Sequence, residues 1–349
     1  MLGQKHLTDA LREAAAKDAL HHAYLFAGPS GSGKAEAALW LAQLANCEGG
    51  AAAAVAGLFG DAEPAPEPAI PCGICHNCRL IAEGSHPDVL WVGPSEDSKA
   101  RKLLIRQAQF VRTEVSRRPV LGRRKVIVLS PADDLTLDAV NCLLKTLEEP
   151  PDYATLVLLA GDTGNVIPTV LSRCQVARFT PAPAADIAQW LQDQGALPHM
   201  AEQLSRLCDG RPGEALRLWK DQAALPKRDR TLEWLADVAD ASLPDALRLA
   251  ERLRVSPDGA PADIPDALGW AAGWFRDVLA VQSGAGAETL INRDRERSIR
   301  HAASRYPVSQ ALSAMRSILN ARRYLAGNGS PALVMENLVM DLIPAGGAW

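Results

Sequence analysis

The sequence predicts an α/β domain followed by an all-α region, and three observations carry that fold class. Short apolar runs alternate with amphipathic helical patterns up to about residue 180. One of these runs feeds a glycine-rich loop that opens a helix, and the strand signal stops after "PAPA" at Pro181 to Ala184. Strands alternating with helices argue for a mostly parallel sheet with helices on both faces.

"AYLFAG" is a short apolar strand running into the loop, and the following helix places Ala37, Leu41, Leu44 and Ala45 on one face. From Glu48 to Pro71 the composition turns to Gly, Ala and Pro, which reads as a flexible insertion with little to pack. "HPDVLWVG" is a second buried-type strand, and "LLIRQAQFVRTEV" a helix aligning Leu104, Ala108, Val111 and Val115. "KVIVLS" is a third strand. The next helix aligns Val140, Leu143, Leu144 and Leu147 before Pro150 and Pro151 stop it, and "ATLVLLAG" is a fourth strand. A small helical unit is expected from about Asp186 to Lys220, and further helices from about Lys227 to the end, broken near "VSPDGAPADIP" and "AGNGSP". The last, "PALVMENLVMDLI", opens with Pro331 near N1 and aligns Val334, Leu338 and Leu342.

A length of 349 residues exceeds one ordinary core, so two or three domains are expected. The hydrophobic share of 48% with 22% charged residues describes a globular protein, and a net charge of −4 gives no global pull toward nucleic acid. No apolar run reaches the length of a membrane span and the amino terminus lacks a signal-peptide core, so a cytoplasmic location is expected.

The loop Gly28-Pro29-Ser30-Gly31-Ser32-Gly33-Lys34-Ala35 is one residue away from a phosphate-binding loop, G-x-x-x-x-G-K-[ST]. Its glycines let backbone N–H groups wrap phosphates, and the helix N-terminus adds its attraction for anions. ATP or ADP could be held there weakly. Hydrolysis also needs Mg²⁺, held by the loop Ser/Thr and an acid at a neighbouring strand end. Ala35 has no hydroxyl, and the strand expected to supply the acid ends in Ser130-Pro131. Asp133 and Asp134 follow, readable as helix-capping carboxylates or as a displaced metal-holding acid.

Seven cysteines are present. Cys72, Cys75 and Cys78 are too close in sequence for a disulfide framework, and with Cys47 they suit a closed, tetrahedral, structural Zn²⁺ site. An Fe–S cluster and metal-free buried thiols are the alternatives, and His76 could replace one thiolate. Cys142, Cys174 and Cys208 read as small buried residues. Arg173, in "PTVLSRC", is by itself a surface salt-bridge residue. "RRPVLGRRK", Arg117 to Lys125, is either a basic patch or a solvated loop.

In order along the chain, "LGQKHLTDALREAAAKDALHHAYLFAGPSGSGK", the cysteine group, "SHPDV", "NCLLKTLEEPP" and "LSRC" resemble bacterial clamp-loader subunits of the AAA+ class. The resemblance covers roughly Leu2 to Phe179. It implies a RecA-like AAA+ domain (1–180) with the zinc module at about 47–78, a small helical lid (181–222) and a helical collar domain (223–349). It also implies partners, τ/γ and δ subunits in a hetero-pentamer that loads the sliding clamp on primed DNA for the DNA polymerase III holoenzyme. The τ/γ ATPases would carry Thr at position 35 and an Asp-Glu pair at Ser130-Pro131, and active relatives have a sensing arginine near Gly213. These three departures favour a non-hydrolysing subunit whose Arg173 serves a neighbour's ATP in trans. The alternative is an active AAA+ ATPase, a diverged τ/γ subunit or a free-standing motor, using Asp133 or Asp134. A P-loop kinase with a zinc insert is a third reading, for which no acceptor-binding signature is visible.

Overall fold

The computed structural model describes residues 2–49, 70–94, 103–242, 245–254, 264–326 and 329–344. The core of the Gly/Ala/Pro insertion, 50–69, and most of "VSPDGAPADIP" lie outside the described residues. The chain divides into two compact units. One comprises Met1–Gly195 with Gly210–Glu214, the other Ala196–Asp209 with Ala215–Trp349.

In the first unit, α1 (Lys5–Ala16) leads into β1 (Ala23–Ala27), then α2 (Lys34–Asn46), α3 (His76–Ala82) and β2 (Val89–Val92). α4 (Ile105–Val115), β3 (Lys125–Leu129), α5 (Leu137–Glu148) and β4 (Ala154–Ala160) follow, then the short α6 (Pro168–Leu171), β5 (Gln175–Arg178) and α7 (Ala184–Asp193). Among the described residues the strands form one sheet in the order β2-β3-β4-β1-β5, all pairings parallel.

Alternation along the strands divides the core in two. Ala23 and Leu25, Ile127 and Leu129, and Leu156 and Leu158 enter one cluster with Ala108, Val111 and Val115 of α4 and Val140, Leu143 and Leu147 of α5. Their neighbours Tyr24, Phe26, Val126, Val128, Val157 and Leu159 pack on the other face with Leu11 of α1, Ala38 and Leu41 of α2, and Ile81 of α3. Successive side chains on a strand point to opposite faces, so a sheet covered on both sides must be apolar throughout. That is why β1, β3 and β4 are buried along their full lengths. β5 was not among the four strands expected. Its side chains are largely exposed, and its place is set by parallel pairing with β1, Tyr24 opposite Gln175.

The second unit is helical where described. It contains α8 (Pro198–Leu207), most of α9 (Pro212–Lys220), α10 (Ala224–Asp240), α11 (Ala246–Arg254), α12 (Ile264–Gln282), α13 (Glu296–Arg305), α14 (Val308–Ala326) and α15 (Pro331–Leu342). Leu235, Leu249, Trp274, Phe275, Ile299, Ile318 and Leu338 share its core. The fully buried Arg228 is held there by both oxygens of Asp294, at 2.9 and 2.8 Å, and by Asn292 at 2.7 Å. The α/β-then-all-α order expected from sequence is therefore the order observed. No helix among the described residues is long and apolar enough to cross a membrane.

Candidate functional site

Gly28 to Lys34 leave the carboxyl end of β1, where open parallel sheets bind ligands, and lead into α2. Gly33, the N-cap, has φ 93°, a left-handed conformation that a Cβ would strain. The loop fits a phosphate. It lies at a helix N-terminus, and the buried Ser32 hydroxyl has no partner among the described residues. Lys34 Nζ donates to the carbonyl oxygens of Gly28 and Pro29, the latter at 2.8 Å. Burial lowers its pKa, opposed by the charges of Asp133 and Glu36.

Two positions expected to hold Mg²⁺ carry no ligand side chain for it. Ala35 is exposed at the second position of α2, and β3 ends at Leu129, so Ser130 and Pro131 stand where an acid would be useful. Asp133 does not cap a helix, one of the two readings the sequence allowed. Thr136 is the N-cap of α5, its Oγ accepting from the Ala139 N–H at 3.3 Å. Asp133 instead accepts from the Gly161 N–H at 2.9 Å, tying the turn after β3 to the end of β4. Gly213, near which the resemblance implies a sensing arginine, lies against the phosphate loop. Its N–H donates to the Gly31 carbonyl at 2.8 Å, and a Cβ there would lie 3.1 Å from that oxygen and 3.2 Å from Gly31 Cα.

Arg173 lies elsewhere on the same unit. It precedes β5, whose Gln175 is level with Tyr24, so it stands at the amino end of β1 while the phosphate loop stands at the carboxyl end. Six residues of extended chain from His22 to Gly28 separate the two, about 20 Å. The arginine borders a shallow depression lined by His21, His22, Leu147, Glu148 and Cys174. Its Nε donates to Glu148 Oε1 at 2.9 Å, Nη2 donates to the same oxygen, and Nη1 donates to Thr169 O at 2.9 Å and Ser172 Oγ at 3.1 Å. His22 titrates below its ordinary range because burial and the charge of the neighbouring His21 outweigh the backbone groups of Leu147 and Arg173. Burial pushes the Cys174 thiol up to about 12, as suits a packing residue.

The Sγ atoms of Cys47, Cys72, Cys75 and Cys78 all lie within 4.8 Å of one another. Cys47 ends α2, Cys75 is the N-cap of α3 and Cys78 lies in its first turn. Backbone N–H groups point at three of the sulfurs: Cys72 N at Cys47 Sγ and Cys75 N at Cys72 Sγ, both 3.3 Å, and Cys78 N at Cys75 Sγ, 3.4 Å. The N–H groups of Cys75 and Ile74 bring the Cys72 thiol down to about 6, while burial raises those of Cys47 and Cys78. Four sulfurs this close cannot all ionise without a cation among them, so the cluster could hold a metal ion. His76 is exposed, outside the cysteine set.

"SHPDV" contributes an aspartate whose role only the structure shows. The buried Asp88 carboxylate accepts from the N–H groups of Val120, Leu121 and Gly122 at 2.7–2.8 Å. His86 bonds Asn77, which donates to the carbonyl of Asn46, whose side chain accepts from Arg124 N. The network joins α2, the cysteine module and the basic loop. Within that loop Arg117 pairs with Glu114, Arg124 reaches Asp18 and the buried Lys125 reaches Glu114, so much of "RRPVLGRRK" is neutralised within the chain.

A family model described as "DNA polymerase III, delta subunit" matches residues 3–183, and one described as "DNA polymerase III, delta subunit, C terminal" matches residues 241–342. DNA polymerase III subunit delta′ of Bacillus subtilis is 30% identical over 339 residues, covering 97% of this chain and 96% of that one. The chain belongs to the delta′ family of clamp-loader subunits. A delta′ subunit of Pseudomonas aeruginosa is 31% identical over 328 residues, 92% of this chain and 91% of that one. Similarity extends to the tau subunit of Escherichia coli at 30% over 259 residues, but that match takes in 74% of this chain and only 33% of the tau protein. Equal identity to delta′ and tau means that the delta′ assignment is carried by near end-to-end coverage. The first family match falls within the α/β unit and the second within the helical unit, and clamp-loader subunits are accordingly the relatives with which this chain groups.

Proposed function

We propose that this delta′-family chain is a non-hydrolysing subunit of the DNA polymerase III clamp loader, which supplies Arg173 in trans to the ATP of a neighbouring τ/γ subunit. The observation that carries the reading is the placement of Arg173, in the turn before β5 and level with the amino end of β1, at the opposite end of the sheet from a phosphate loop that lacks its hydroxyl at position 35. An arginine so placed cannot serve its own chain's nucleotide, but it can serve a site at a subunit boundary. In this reading the chain assembles with τ/γ and δ in a hetero-pentamer in the cytoplasm and helps to load the sliding clamp on primed DNA. Residues 1–180 form the AAA+ domain, 181–222 the lid and 223–349 the collar.

Gly28, Pro29, Ser30, Gly31, Ser32, Gly33, Lys34 and Ala35 cradle ATP or ADP weakly, without turnover. Cys47, Cys72, Cys75 and Cys78 hold a structural Zn²⁺, whose chemistry is to neutralise and tie together four thiolates. The guanidinium of Arg173 meets charge developing on the transferred phosphoryl group, an effect of about 10³–10⁵ in rate, or roughly 4–7 kcal/mol of barrier. The test is Arg173→Ala in the reconstituted loader, expected to lower clamp- and DNA-stimulated ATPase at least tenfold; unchanged ATPase overturns the trans role. A second reading, an active ATPase, draws on Asp133, whose charge reaches Lys34. Robust turnover by the purified chain, abolished by Lys34→Ala, would replace the first reading with this one.

A further inference from the structure

We propose that Glu148 is a positioning residue for Arg173, a role that rests on the trans-finger reading above. Glu148 is the last residue of α5, and the prolines at 150 and 151 follow it. One of its oxygens receives both Nε and Nη2 of the guanidinium, while Thr169 O and Ser172 Oγ take the two hydrogens of Nη1. Four of the five guanidinium N–H groups are thereby directed within the subunit, and one on Nη2 stays outside these bonds. The plane of the guanidinium is fixed by two elements at once, the end of α5 and the turn of α6.

A free arginine side chain samples many rotamers, and freezing it at the moment of reaction costs rate. Glu148 and the α6 carbonyl meet that cost in advance, since the arginine is held at partial exposure, 32% for its side chain, rather than buried or free in solvent. The C-terminal end of α5 favours the cation as well, because the last carbonyls of a helix carry partial negative charge. Glu148 therefore acts through Arg173 and not on the nucleotide. "LEEPP" and "LSRC", distant in sequence, form one device.

A double-mutant cycle in the reconstituted loader tests this, reading stimulated ATPase at varied ATP. Glu148→Ala is expected to lower kcat about tenfold with KM for ATP little changed. Glu148→Gln, which keeps an acceptor oxygen for Nε and Nη2, is expected to recover most of the loss. In an Arg173→Ala background Glu148→Ala should cost nothing further. A full additional loss in that background, or an unchanged kcat for Glu148→Ala where Arg173→Ala is defective, overturns the positioning role. If Arg173→Ala itself is without effect, the trans-finger reading fails instead, so the two failures are told apart. Thermal unfolding of each variant subunit and its incorporation into the complex separate positioning from misfolding: a loss of kcat that tracks a loss of assembled subunit counts against the proposal.

Discussion

Ala35 removes one oxygen from the phosphate loop, and the consequence depends on what stands around it. Ser130 and Pro131 stand at the end of β3 and Asp133 is already bonded to the Gly161 N–H, so in the proposed non-hydrolysing reading a hydroxyl at position 35 restores only one of the groups a metal needs. Ala35→Thr is therefore expected to leave ATPase of the purified chain at background, measured as phosphate release at millimolar ATP. A rise of tenfold or more would show that one oxygen was the whole deficit. Gly213 makes the same point from the other side of the loop, since its backbone lies against Gly31 and leaves no room for a larger residue without movement.

At the scale of elements, the cysteine module and the basic loop are both held by α2 and the Asp88–His86–Asn77–Asn46 network. Metal analysis is expected to give one zinc per chain. Stripping it with a chelator leaves four close sulfurs without a counter-charge, and should lower the unfolding midpoint by several degrees, at about 2–4 °C per kcal/mol for a domain of this size. An unchanged midpoint after verified metal loss would contradict a structural role. Asp88 predicts an acid effect of definite sign. Burial alone would raise its pKa, but the N–H groups of Gly122, Val120 and Leu121, with the nearby His86, hold it below the ordinary aspartate range. The folded state then binds fewer protons than the unfolded one, so this stabilisation is fully present above the ordinary aspartate pKa and is lost as pH falls through the lowered value. Asp88→Asn should cost roughly 2 kcal/mol or more at neutral pH and flatten the loss of stability with acid. Parallel stability–pH curves for the two proteins would refute the assignment.

At the scale of the whole molecule, a parallel sheet gives the α/β unit two chemically different ends. The carboxyl end of β1 carries the phosphate loop, and the turn before β5, level with the amino end of β1, carries Arg173. In the proposed reading, a subunit built this way lacks turnover at one end and keeps at the other an arginine that serves hydrolysis next door. The Arg173→Ala experiment therefore reads the neighbour's ATP, whereas Ala35→Thr reads the chain's own loop. The helical unit has a separate core, centred on Trp274 and Phe275 and fixed internally by the buried Arg228. Its family match over residues 241–342 is likewise separate from that of the α/β unit.

The sequence by itself determined the α/β-then-helical order, four of the strands, the loop and the cysteine set, because these depend on local patterns: apolar runs, glycines at a helix start, short cysteine spacing. It missed β5, since an exposed edge strand such as Gln175–Arg178 has no apolar run to betray it and is placed only by pairing with β1. It misread Asp133 as a cap, because the Gly161 N–H that claims its carboxylate is distant in sequence. Nothing in the local sequence pattern assigns a role to Glu148 or Asp88. Only the tertiary structure decided those roles, since each depends on a partner 25 or more residues away brought to hydrogen-bonding distance by the fold. The same folding set Arg173 a strand's length from the phosphate loop, a separation that spacing along a chain cannot express.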